Sequence, residues 1–108
     1  YEAGTLVQFG GDKEITIAKD GVVHGVISEA PAYLMNAEAY GIPVAMIGRV
    51  KVKVFGAINK FDCITLSKDV KGFAAKAQWG DKVIGRALES NELGGEHLIE
   101  CVVKLNLD

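Results

Sequence analysis

The side chains able to do chemistry are few and scattered along the chain. Nucleophilic catalysis needs a nucleophile, a base within reach and usually an orienting third group. The available parts are His24, His97, Cys63, Cys101 and dispersed serines. His24 lies in Val22-Val23-His24-Gly25-Val26, where strand alternation sets it against the valine face, and His97 opens the last apolar run. Both read as surface or strand-flanking histidines. Cys63 and Cys101 each sit inside an apolar stretch and read as buried free thiols acting as small hydrophobes, in preference to a disulfide or a reactive pair. No Cys-x-x-Cys, His-x-x-x-His or dense carboxylate loop offers metal ligands, and no glycine cluster stands between a strand and a helix as a phosphate cradle. No catalytic residue, cofactor or metal is assigned, and the expectation is that the chain is not an enzyme.

Charged and aromatic residues give a similar picture. Val50-Lys51-Val52-Lys53-Val54 places valines on one face of a strand and lysines on the other, with Arg49 just before. Arg49, Lys51 and Lys53 are the candidate basic patch for a phosphate or an acidic host glycan. The plainer reading, and the preferred one, is a half-exposed strand kept soluble by its lysines. Asp62 and Asp81 each stand at a turn just ahead of a strand, where a carboxylate can accept from backbone N–H groups two residues on, so they read as turn residues and not as catalytic acids. Trp79, beside Gly80-Asp81, reads as a cap on the end of the core. The 12 basic and 14 acidic residues give a net charge of −2, which draws in neither nucleic acid nor an anionic membrane. The aromatics do not interleave with Arg and Lys as a single-strand platform requires, and no apolar run approaches the ~20 residues of a bilayer span.

These residues must be held by strands. Short β-branched runs, punctuated by 13 glycines and by Asp or Asn, predict strands near Leu6–Phe9, Glu14–Ala18, Val23–Ser28, Val44–Gly48, Val50–Phe55, Cys63–Leu66, Phe73–Ala77, Val83–Leu88 and Leu98–Leu105. Gly10-Gly11-Asp12-Lys13 predicts a tight hairpin, and Asp20-Gly21 and Asn91 to Gly95 predict further turns. Between Pro31 and Pro43, Ala37-Glu38-Ala39 has room for at most one short helical turn. The whole chain, residues 1–108, is expected to be one all-β domain: a compact β-sandwich or partly closed barrel of eight or nine short strands. The start, Tyr1 to Thr5, shows no signal peptide, and the missing initiator Met suggests a fragment or a processed product. One loop stands apart: Ser28 to Asn36 carries Pro31, Tyr33, Leu34 and Met35, with Tyr40 close behind. It either folds back onto the core or packs on a neighbouring copy, so Pro31, Tyr33, Leu34, Met35 and Tyr40 are the candidate interface residues.

Tyr1 to Gly11, Gly25-Val26-Ile27-Ser28 leading into Pro31 to Asn36, Val44 to Val54, Asp62, and Gly80 to Glu89 together resemble a structural module of bacteriophage virions. The resemblance lies in the order of these blocks over almost the whole chain. Modules of this kind occur in tail-fibre, tail-spike and neck-appendage proteins, where related domains support trimerisation and in some cases self-cleavage; phage head-decoration proteins share a comparable layout. The resemblance implies a virion location, other virion proteins and further copies of itself (a homotrimer) as partners, and work as a tail-fibre or appendage domain. The alternatives are a capsid decoration protein and an autoproteolytic chaperone-like domain; no self-cleavage residue is assigned here. The sequence departs from the family by carrying Phe61 where a glycine usually precedes the Asp, which suggests a side chain capping the core.

Overall fold

In a computed structural model the described residues are 2–10, 15–19, 22–28, 35–39 and 42–105, with backbone alone for 35–39 and Ile42. They form nine strands and no helix: β1 Leu6–Phe9, β2 Ile15–Ile17, β3 Gly25–Ile27, β4 Met35–Ala39, β5 Ile42–Phe55, β6 Cys63–Leu66, β7 Ala74–Lys76, β8 Gly85–Ala87 and β9 Glu96–Lys104.

The architecture is organised by β5. Its C-terminal part closes a five-stranded barrel in the order β5-β7-β6-β8-β9, with β9 returning to pair β5 from Ile47↔Lys104 to Phe55↔Glu96. All pairs in the ring are antiparallel except β5–β7. Its N-terminal part joins an antiparallel sheet in the order β4-β5-β3-β1-β2. Fourteen extended residues span about 43 Å, yet the longest dimension of the molecule is 35 Å. The strand therefore bends. Gly48, at φ 127, lies where the partners of β5 change from β3 and β4 to β9, and glycine supplies the conformation that a side chain rarely adopts.

Alternation along the strands sorts the core. Val50, Val52 and Val54 of β5 point into the barrel and meet Ile64, Leu66, Ala74, Ala87, Ile99, Cys101 and Val103, all buried. In the sheet both faces are covered: Leu6, Val26 and Ala45 belong to the barrel-side core, while Val7, Ile27 and Val44, with Ile15 and Phe9, make a second cluster. This explains why β1 and β3 read as near-continuous apolar runs. Barrel closure needs close approach at Gly85, where a Cβ would lie 2.2 Å from the carbonyl oxygen of Val102.

The expected all-β fold is present, and most strands fall where the alternation placed them. Three details differ. The segments 44–48 and 50–55 are one strand, because Gly48 bends the backbone without ending its pairing. The last strand begins at Glu96. Ala37-Glu38-Ala39 is not a helical turn but part of β4, paired Ala37↔Val44, Glu38↔Pro43 and Ala39↔Ile42. Three residues of helix propensity cannot offset the cost of nucleating a turn, whereas a strand docks on a ready β5 partner. The predicted turn at 10–13 lies largely outside the described residues, as does Asp20-Gly21; the pairing Phe9↔Ile15 shows the β1–β2 hairpin itself.

Candidate functional site

The basic strip of β5 is the first place to look, and two of its three cations are already paired. Arg49 donates from Nε and a terminal nitrogen to the two carboxylate oxygens of Glu100, at 2.6 and 2.9 Å. The bidentate fork raises the Arg49 pKa and holds the Glu100 carboxyl below its ordinary value, chiefly through these hydrogen bonds. Lys53 donates to Glu2 at 2.6 Å, which lowers the Glu2 pKa, and its ammonium stands 5.4 Å from the centre of the Phe73 ring. Lys51 is exposed and opposite Glu100 in register. Arg49 thus ties β9 to β5 and Lys53 ties the segment before β1 to it, while Lys51 makes no ion pair among the described residues. Val50, Val52 and Val54 are buried beneath them, as the alternation requires.

The imidazoles and thiols do not converge. His24 accepts the N–H of Phe9 at Nδ1, 2.9 Å, and its ring stacks on Phe9 with centroids 5.3 Å apart, so it packs against β1. His97 is exposed in β9 opposite Val54. Both thiols are free, Cys63 half-buried and Cys101 buried; burial pushes the Cys101 pKa up to about 12. Among the described residues no group of three or more His, Cys, Asp or Glu side chains could hold a metal ion.

Two turns share one construction. Asn59 N–H donates to Asp62 Oδ2 at 2.9 Å while Asp62 N–H donates to the Asn59 carbonyl at 3.0 Å. Gln78 N–H donates to Asp81 Oδ2 at 2.8 Å while Asp81 N–H donates to the Gln78 carbonyl at 3.0 Å. The aspartates do hold turns, but they reach three residues back instead of two residues on. The Gln78 N–H is the main cause holding the Asp81 carboxyl below its usual value, with Lys68 at 3.4 Å adding to it. The third turn position is Phe61 at φ 74 in one and Gly80 at φ 93 in the other. The expectation that Phe61 and Trp79 cap the core is not met: Phe61 is 58% exposed and Trp79 102%. The turn geometry dictates this, since its middle residues project away from the pairing that anchors its ends. Leu93, in the turn before β9, is 90% exposed.

A cleft that sequence reading did not find has a volume of about 570 Å³ and lies between three separate pieces of chain. Lys19 follows β2, Lys68, Asp69 and Lys71 come from the β6–β7 loop, and Asp81 and Lys82 precede β8. The loop is stapled in place. Ser67 Oγ accepts the N–H groups of Asp69 and Val70 at 3.1 Å, the Gly72 N–H donates to the Ala18 carbonyl at 3.2 Å, and Leu6 N–H donates to the Gly72 carbonyl at 2.8 Å. These bonds set Lys71 beside Lys19 although the two are distant in sequence. Gly72 has φ 79, and a Cβ there would stand 2.8 Å from Ile17 Cγ2.

Of the candidate interface residues, Pro31, Tyr33, Leu34 and Tyr40 lie outside the described residues, and Met35 opens β4. Among the described residues β4 has β5 as its single strand partner. Neither protein-family models nor curated protein sequences give a match to this chain.

Proposed function

We propose that this chain is an assembly module of a bacteriophage virion, a tail-fibre or appendage domain that associates with copies of itself as a homotrimer. One observation carries the structural half of this reading: β4 is an outer strand, five residues long, with β5 as its one partner among the described residues. Every strand of the neighbouring barrel is paired on both sides. An outer strand of this kind is a template for pairing with another chain. It also follows directly on the segment that carries Pro31, Tyr33 and Leu34. The virion half rests on the ordered resemblance to phage structural modules. Exposed Trp79, Leu93 and Phe61 on turns add apolar surface suited to contact.

The test is to raise antibodies against the chain and label particles of the phage that encodes it. Gold at the tail or at an appendage is the expected result. Labelling spread over the head surface instead identifies a decoration protein, and unlabelled particles with a reactive lysate place the chain outside the virion.

A further inference from the structure

We propose that the cleft between Lys19, the β6–β7 loop and the segment before β8 binds an acidic saccharide, a sugar chain bearing carboxylate or sulfate groups. Its volume of about 570 Å³ falls inside the roughly 300–1,000 Å³ of small-ligand sites. Four lysines, Lys19, Lys68, Lys71 and Lys82, face it against two aspartates, in a chain whose net charge is −2. Among the described residues Lys68 alone of the four has a carboxylate partner, Asp81. Three ammonium groups are therefore left to meet anions, in contrast to the paired cations on β5.

The rest of the lining selects among anions. Asp69 has no ion-pair partner among the described residues, and Thr65 also lines the cleft. A carboxylate accepts hydroxyl donors. A sugar ring offers those hydroxyls, whereas the phosphodiester groups of a nucleic acid offer Asp69 no donor. Single-strand binding also wants a row of aromatics, and no aromatic lines this cleft; Trp79, directly before the lining residues Gly80 and Asp81 in sequence, is fully exposed on their turn. An indole presents an apolar face for the C–H side of a sugar ring together with an N–H donor. The site is independent of trimer formation, so either reading can fail without the other.

The test is titration of the full chain with a heparin-derived oligosaccharide, a polygalacturonate oligosaccharide, an uncharged glucan and a single-stranded oligothymidine, followed by amide chemical shifts and calorimetry. Shifts centred on residues 68–71 and 80–82 with at least one acidic oligosaccharide are expected, together with little response to the glucan. The double variant Lys71→Glu, Lys82→Glu weakens that binding by about tenfold or more, whereas Lys51→Glu on the β5 strip leaves it within about twofold. Trp79→Ala weakens the oligosaccharide and leaves the shifts caused by free sulfate in place. Thermal melts of each variant confirm folding, and Lys71→Gln, Lys82→Gln gives an intermediate loss. No binding of either acidic oligosaccharide, equal affinity in the double variant, a larger loss in Lys51→Glu, or tighter cleft binding of oligothymidine overturns the proposal.

Discussion

Phe61 at φ 74 occupies a backbone region that disfavours side chains, in a turn whose twin at 78–81 carries glycine at the same position. The left-handed conformation costs an L-residue about 1–2 kcal/mol, and glycine returns about 0.5–1 kcal/mol of that as unfolded-state entropy. Because the Phe61 ring is mostly exposed, little burial is lost on removing it. Phe61→Gly is therefore expected to stabilise the chain by about 0.5–1 kcal/mol, and Gly80→Ala to destabilise it by about 1 kcal/mol, both read as shifts in urea midpoint at constant slope. The thiols give a second residue-level test. Cys101 is expected to stay unreactive toward a disulfide reagent in the folded chain, so native protein titrates at most one thiol and denatured protein two. Between the ordinary thiol value of 9.0 and about 12 the unfolded chain releases a proton that folded Cys101 keeps. Stability therefore falls with pH across that window, and the slope shrinks in Cys101→Ala.

At the level of elements, the strands were legible because short apolar runs and alternation between turn residues are local properties: Leu6–Phe9, an almost continuous apolar run, and Cys63–Leu66, which alternates, have the bounds that the sequence predicts. The missed strand, β4, had a local signal too. The sequence has Tyr40-Gly41 ahead of the Ile42 run, a pair with glycine in second place as hairpins favour, but the alanines around Glu38 suggested helix. Phe61 and Trp79 could not be placed from sequence, since an aromatic beside a turn can fold inward or outward and only the three-dimensional turn decides. The cleft was illegible for a different reason: Lys19 and Lys71 are joined by hydrogen bonds between distant backbones, Gly72 to Ala18 and to Leu6, and the segment with Lys82 is tied to the same loop by the Lys68–Asp81 ion pair. Closure of the barrel can be tested at β8. Gly85→Ala drives a methyl into the β9 backbone and is expected to cost about 3 kcal/mol, measured by denaturant unfolding. The carboxylates that tie elements together carry a pH signature. Glu2, Glu100 and Asp81 have folded pKa values below their ordinary 4.5, 4.5 and 3.8. The stability that they contribute is present above the ordinary values and is lost as pH falls through the depressed ones. Added salt should weaken this dependence for Glu2 and Glu100, whose shifts come from ion pairs with Lys53 and Arg49 in which one member is well exposed. It should leave the Asp81 share largely intact, because a backbone N–H is its main cause.

For the molecule as a whole, a closed barrel and an open sheet share one bent strand, and the sheet has β4 and β2 as its outer strands. The barrel protects its own edges, and the sheet ends in β4, next to the segment with Pro31, Tyr33 and Leu34. That division suits a part that holds other chains together. Net charge opposes self-association little, since it is only −2. Self-association is most directly tested by sedimentation equilibrium of the purified chain over a wide concentration range. A homotrimer gives a species of three times the 11.5 kDa chain mass; a single 11.5 kDa species at every concentration contradicts trimer formation.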